Sequence, residues 1–188
     1  GNTGTMVVPD TYKSLSFWRN TPNVSTLASG QTATLTNGTL GYEWDWEQYP
    51  ASYPAGRVTM SNTSFDGHIH KLSLYKSSFG GLVFGAGTVQ WAWGLDANHD
   101  RSNTQTNSAV SVDMQQATIN LFADMGVAAG SIQSPLVQTT ASTDVTPPVT
   151  IITSPVNGAL LPQGDIVTIT GTATDVGGVV GGVEVSVN

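Results

Sequence analysis

Cysteine is absent from the chain. That excludes a thiol nucleophile, a thiolate metal site and a disulfide framework together. Charge is scarce as well: 10% of residues are Asp, Glu, Lys or Arg, against a usual share of about 25%. Six Lys and Arg stand singly beside thirteen Asp and Glu, for a net charge of −7. Such a chain offers no basic track for a phosphate backbone, which excludes nucleic acid as a partner. No apolar run approaches the roughly 18 residues of a membrane span. A Gly-x-Ser-x-Gly nucleophile elbow is missing, and Gly85-Ala86-Gly87-Thr88 lacks both the third glycine of a dinucleotide fingerprint and the Gly-Lys-Ser/Thr of a P-loop. Nucleophilic hydrolase chemistry carried wholly by this chain is therefore not expected.

What the chain does hold is unevenly spread. Fourteen of the fifteen aromatics lie before residue 100, Phe122 being the exception, and all six basic residues lie before residue 102. From Ser134 onward the composition turns to Val, Ile, Thr, Gly and Pro. This shift divides the chain into a first domain over 1–135, a linker over 136–148 that ends in Pro147-Pro148, and a second domain over 149–188. The chain opens at Gly1 without Met or a leader segment, and stops within the strand-like Val183–Asn188. It reads as a piece of a longer protein. Few charges, much Thr and Ser and no Cys suit a secreted or cell-surface bacterial protein.

The second domain reads as strands. Val149–Thr153 is β-branched throughout, Asp165–Asp175 alternates with period two, and Val183, Val185 and Val187 share one face of a third strand. An immunoglobulin-type sandwich needs about seven strands, so this would be a partial one. In the first domain, strands are expected at Leu15–Arg19, Thr32–Leu35, Thr39–Asp45, Arg57–Ser61, His68–Tyr75 and Leu82–Phe84. A single helix is expected between Ser111 and Met125. Met114, Ala117, Leu121 and Met125 would form its apolar stripe, widened by Phe122 and laid on a sheet. Ser111 is its N-cap, Asp113 sits in the first turn, and Gly126 follows as C′. The fold class is a β-rich α+β domain, a layered sheet domain with one packing helix, joined to a partial β-sandwich.

Chemistry concentrates in Gly41-Tyr42-Glu43-Trp44-Asp45-Trp46-Glu47. If extended, this segment puts Tyr42, Trp44 and Trp46 on one face and Glu43, Asp45 and Glu47 on the other. Carboxylates about 6.5 Å apart repel unless something separates them. Either they face solvent, or they hold a hard metal or iron with His68 and His70, which also share a strand face. Glu43, flanked by two large aromatics, is the candidate for a buried, paired carboxylate. His99, in the polar stretch Asp96–Asp100, is expected to be solvated. Trp44, Trp46, Trp91 and Trp93 form two Trp-x-Trp pairs. Buried, they are core, and burial is expected for at least three of the five Trp. Exposed, their flat apolar faces suit a sugar ring.

The blocks Leu15–Thr21, Leu40–Asp45, His70–Tyr75, Leu82–Asp96 and Met114–Gly126 together resemble the C-terminal domain of the N,N-dimethylformamidase large (beta) subunit-like family. Thr146–Ile151 and Val167–Asp175 resemble the opening strands of a bacterial immunoglobulin-like repeat. The resemblance covers nearly all of the chain. It implies a large, multidomain, extracellular bacterial protein and an amidotransferase-like layered parent domain, of which the C-terminal part is present here. It also implies mononuclear iron held by Tyr and Glu side chains, for which Tyr42 and Glu43 are the matching candidates.

Three functions follow. The first is a non-catalytic module for scaffolding, assembly or ligand display, pairing strands at an open sheet edge with other copies of itself or with the remainder of its parent chain. The second is a metal-dependent amide hydrolase centred on Glu43 and assisted by Tyr42, Asp45 or His70, the metal activating water. The third is a carbohydrate-binding module using the Trp pairs. The cofactor is left open among iron, zinc and calcium, the last near Asp165, Asp175 or Glu184.

Overall fold

The computed structural model describes residues 3–49, 52–99 and 109–186. Asp100, Val187 and Asn188, which entered the readings above, lie outside the described residues. The chain divides into two compact units, 1–142 and 143–188.

In the first unit every described strand pairing is antiparallel, and the sheets are small. Strand β1 (Thr3–Gly4) pairs with β4 (Leu40–Gly41), and β2 (Val7–Pro9) with β3 (Thr32–Thr34). Strands β5 (Val58–Thr59), β8 (Ser73–Lys76) and β9 (Leu82–Gly85) form the three-stranded sheet, with β8 central. Strands β6 (Thr63–Phe65) and β7 (His68–His70) form a hairpin. Its two turn residues, Asp66 and Gly67, both have positive φ, at 47° and 77°, as a hairpin turn matched to strand twist requires. The expected single strand over His68–Tyr75 is thus two strands belonging to two different sheets.

Leu15–Arg19 is not a strand. Ser16–Trp18 forms a 3-10 turn that drives Phe17 and Trp18 inward. Trp18 is fully buried and donates its indole N–H to the Met60 carbonyl at 2.9 Å. A buried Trp needs such an acceptor. Around it pack Met6, Val8, Val24, Leu40, Leu72 and Met114.

Helix α1 (Val112–Asp124) starts and stops where the sequence signals place it. Ser111 Oγ accepts from Met114 N at 3.3 Å, and Gly126 follows the helix at φ 81°. Met114, Ala117 and Leu121 are buried as expected, but Phe122 and Met125 are 50% and 40% exposed. The buried face is rotated roughly a quarter turn from the apolar stripe, toward Asp113, Gln116 and Asn120. The cause is hydrogen bonding. Asn120 Nδ2 donates to the carbonyls of Phe17 (3.0 Å) and Arg19 (2.6 Å). Gln116 closes a two-point amide pair with Val137, at 2.9 and 2.8 Å. The helix therefore packs most heavily on the Ser16–Trp18 turn rather than across a sheet.

Residues 136–142 of the expected linker lie along this helix. Arg19 donates to the Thr140 carbonyl, and Ser142 N donates to Asp124 Oδ1, each at 3.0 Å.

In the second unit β10 (Val149–Ser154) pairs antiparallel with β11 (Thr170–Thr174), with a register irregularity between Ile152 and Ser154. The strand expected over Asp165–Asp175 forms only in its second half. Residues 183–186 are not in a strand. Ile151, Ile152 and Ile169 remain 59%, 63% and 46% exposed, so the described hairpin closes over no core of its own.

Candidate functional site

Residues 42–49 lead into a region where charged and aromatic side chains converge, and 45–49 form one wall of it. Tyr42 interrupts the expected alternation: its φ is +57°, and its side chain is 75% exposed. A non-glycine residue in the left-handed region turns the chain, so Tyr42 leaves the face that Trp44 and Trp46 share. Beyond it the segment is pinned by backbone bonds. Asp45 N donates to Gly87 O and Glu47 N to Ile69 O, both at 2.8 Å, while Val89 N donates to Glu43 O at 3.2 Å.

That pinning sets the aromatic face. The Trp44 ring meets Phe65 at 5.1 Å and Trp46 at 5.4 Å between centroids, and Trp46 stacks on His68 at 4.5 Å and 25°. His68 and His70 share a face as expected, and both rings lie against Trp44, at 6.2 and 6.5 Å. His68 is exposed; His70 is fully buried. His70 Nε2 lies 3.0 Å from the Ala86 carbonyl, which makes it the protonated nitrogen, and its buried Nδ1 has no partner among the described residues. Burial pushes the His70 pKa down from its ordinary value, against the Ala86 carbonyl and the charge of Asp45.

The carboxylates part company. Glu43 and Asp45 are exposed, so Glu43 is not a buried, paired acid. The paired one is Glu47, whose two oxygens accept from Arg57 Nη1 and Nη2 at 2.6 and 3.0 Å. The bond to Arg57 holds the Glu47 pKa below its usual range. The guanidinium lies 3.9 Å from the Tyr53 ring centroid, and Tyr53 Oη accepts from Gln48 N at 2.9 Å. Gln48, Tyr53, Arg57 and Glu47 thus form one connected element.

This element lines a cleft of about 400 Å³, bounded by 45–49, by Ser52–Arg57 and by residues of β8 and β9. Asp45, Trp46 and Glu47 were singled out from the sequence. Tyr49, Tyr53, Arg57, Lys71 and Tyr75 were not. The available signal was scarcity, since two of only six basic residues in the chain lie here.

Trp91 and Trp93 stand elsewhere, on a 3-10 turn (Trp91–Gly94). Trp91 packs on Phe84 at 5.2 Å and donates to Thr118 Oγ1 at 3.3 Å, joining the core to α1. Trp93 stacks face to face on His99, 4.8 Å apart, so His99 is not a solvated loop residue. Of the five Trp only Trp18 is fully buried; Trp46 is 38% exposed. The two Trp-x-Trp pairs do not form one surface.

Tyr42 and Glu43, the residues matched to an iron site, are both exposed, and His70 Nε2 is bonded to the Ala86 carbonyl. Among the described residues no three His, Asp or Glu side chains come together as metal ligands, Asp165, Asp175 and Glu184 included.

In the second unit, residues 182–186 run beside the hairpin and leave a groove of about 370 Å³, lined by Ile152, Ile169, Val183 and Val185 among others.

Residues 148–188 match the family model of the bacterial Ig domain, a β-sandwich family. Residues 1–107 match the model described as N,N-dimethylformamidase beta subunit-like, C-terminal. No curated protein and no solved structure matches the chain. The domain order expected from the sequence is the order found, and no helix among the described residues is long and apolar enough to cross a membrane. Since the first match spans more than half of the 188 residues, the chain belongs to the N,N-dimethylformamidase beta subunit-like C-terminal family, with a bacterial Ig domain following.

Proposed function

We propose that the chain is a non-catalytic module of a secreted or cell-surface multidomain bacterial protein, serving assembly by strand pairing in its immunoglobulin-like unit. One observation carries this reading. The described residues of that unit form one hairpin, β10–β11, with its apolar side chains largely exposed. A lone hairpin is marginal in water. Among the described residues β10 and β11 pair in a sheet of two strands, so each is an edge strand, and Ile151, Ile152 and Ile169 present apolar surface beside them. Such an edge takes up a further strand by backbone hydrogen bonding, with pockets for alternate side chains adding selectivity. The groove between the hairpin and residues 182–186 is lined to receive one.

The partner strand comes from another copy of the chain or from the remainder of its parent chain, and self-association is the measurable case. Native mass spectrometry with hydrogen exchange on the same sample tests this. Oligomers whose amides in 149–174 slow as concentration rises are expected. A monomer whose residues 149–186 exchange freely at every concentration overturns it.

A further inference from the structure

The cleft in the first unit has the make-up of a site for an uncharged, hydroxyl-rich ligand. Its lining carries two acids, Asp45 and Glu47, and two bases, Arg57 and Lys71. The formal charges of this lining cancel, so the lining itself favours neither an anion nor a cation. Charge is present in local alternation, which suits hydroxyl groups that both donate and accept. A carboxylate has about four lone-pair sites, and Glu47 accepts one bond from Arg57 at each oxygen. Asp45 is exposed at the same wall.

The aromatic residues supply the other half. Trp46, Tyr49, Tyr53 and Tyr75 line the cleft. Trp46 is held in orientation by His68 stacked on its ring and still keeps 38% of its surface exposed. Tyr49, at 72% exposure, stands open to solvent. Tyr53 is fixed at both ends, by Gln48 N on its hydroxyl and by the Arg57 guanidinium over its ring. A ring face bordered by fixed polar groups matches a pyranose, which has an apolar C–H face and a hydroxyl rim. Because Trp46, Tyr53, Glu47 and Arg57 are held before any ligand arrives, less ordering remains to oppose binding.

We propose that this cleft binds a neutral sugar ring, laid against Trp46 and Tyr49 with its hydroxyls on Asp45, Glu47 and Lys71. The site needs only the first unit and is independent of strand pairing in the second.

Calorimetric titration of the whole chain tests it, using cellohexaose, xylohexaose, maltohexaose and hexa-N-acetylchitohexaose, with polygalacturonate as the charged comparison. Saturable heat is expected with at least one neutral hexasaccharide. Tyr49→Ala, at an exposed position that cannot unfold the chain, weakens that binding about tenfold, a loss of about 1.4 kcal/mol. Trp46→Ala weakens it as much or more. Trp93→Ala, outside the cleft, leaves it unchanged. Absence of heat with all four neutral sugars overturns the proposal. So does binding that survives both Tyr49→Ala and Trp46→Ala, or a preference for polygalacturonate over every neutral sugar.

Discussion

The carboxylate of Asp113 grips Asn23 twice, accepting from its backbone N at 2.9 Å and its Nδ2 at 2.7 Å. Oδ1 also receives Val24 N at 3.3 Å. Asp113 sits in the first turn of α1 and is 4% exposed, so one side chain ties the helix start to a loop ninety residues away. Asp113→Ala leaves the buried Val24 N–H without an acceptor and removes two further bonds. A loss of about 2–4 kcal/mol is expected, read as a lower urea midpoint by tryptophan fluorescence. Asp113→Asn keeps the shape but turns an amide toward the same donors, and should lose about half as much.

Gly87 is required by His70. Its φ is +60°, and a Cβ there would stand 2.9 Å from His70 Nε2. Gly87→Ala therefore carries both backbone strain and displacement of the buried imidazole from Ala86. About 2–4 kcal/mol is expected. Gly30, at φ +77° with nothing within 4 Å of its own added Cβ, isolates the first contribution, and Gly30→Ala should cost only about 1–2 kcal/mol. Thermal unfolding of the two variants side by side reads the difference. Equal losses would show that the imidazole yields without cost.

How much of this was legible in the sequence depended on how local each cause is. The ends of α1 were readable because Ser111 and Gly126 act within a turn of themselves. Its buried face was not, because Gln116 and Asn120 are turned inward by the carbonyls of Val137, Phe17 and Arg19, which lie far off along the chain for two of the three. The Asp66-Gly67 turn is a local signal and marks the start of β7, whereas the break at Lys71-Leu72, where the chain leaves one sheet for another, carries no turn residue. At the site, period-two reasoning placed Trp44 and Trp46 together correctly. It could not foresee Tyr42 at positive φ, nor that Glu47 rather than Glu43 would be the paired acid. That choice belongs to Arg57, ten residues on, a pairing no periodicity encodes.

Strand pairing in the second unit has its own test by substitution. Ile152 lies in β10 and is 63% exposed. Lys on an edge strand opposes the approach of another strand, since its charge would be desolvated in the new sheet. Ile152→Lys is expected to shift the chain to monomer in native mass spectrometry. Its side chain is already open to water in the hairpin, so unfolding of the first unit should be unaffected. Oligomers that persist in this variant would place association elsewhere.

The stability of the first unit should fall with acid through His70. Its Nε2–H donates to Ala86, and its Nδ1 is sealed from water without a partner among the described residues, so a second proton would add a buried charge with no acceptor. Burial accordingly depresses the folded pKa, although the Ala86 carbonyl and the charges of Asp45 and Glu47 pull the other way. Unfolded, the imidazole takes its proton near the ordinary value of 6.5. Below that pH the unfolded state binds more protons than the folded one, so stability falls as pH drops, by at most about 1.4 kcal/mol per pH unit. The contribution is complete above 6.5 and shrinks until the depressed folded pKa is passed. Glu47, also depressed, acts in a lower window: its contribution is present above 4.5 and lost as pH falls through its folded value. Urea midpoints between pH 7.5 and 5 therefore report mainly on imidazole. His70→Gln keeps an N–H for Ala86 without a titrating ring, and its midpoint should be flatter over that range. An unchanged slope in the variant would assign the acid sensitivity to other groups.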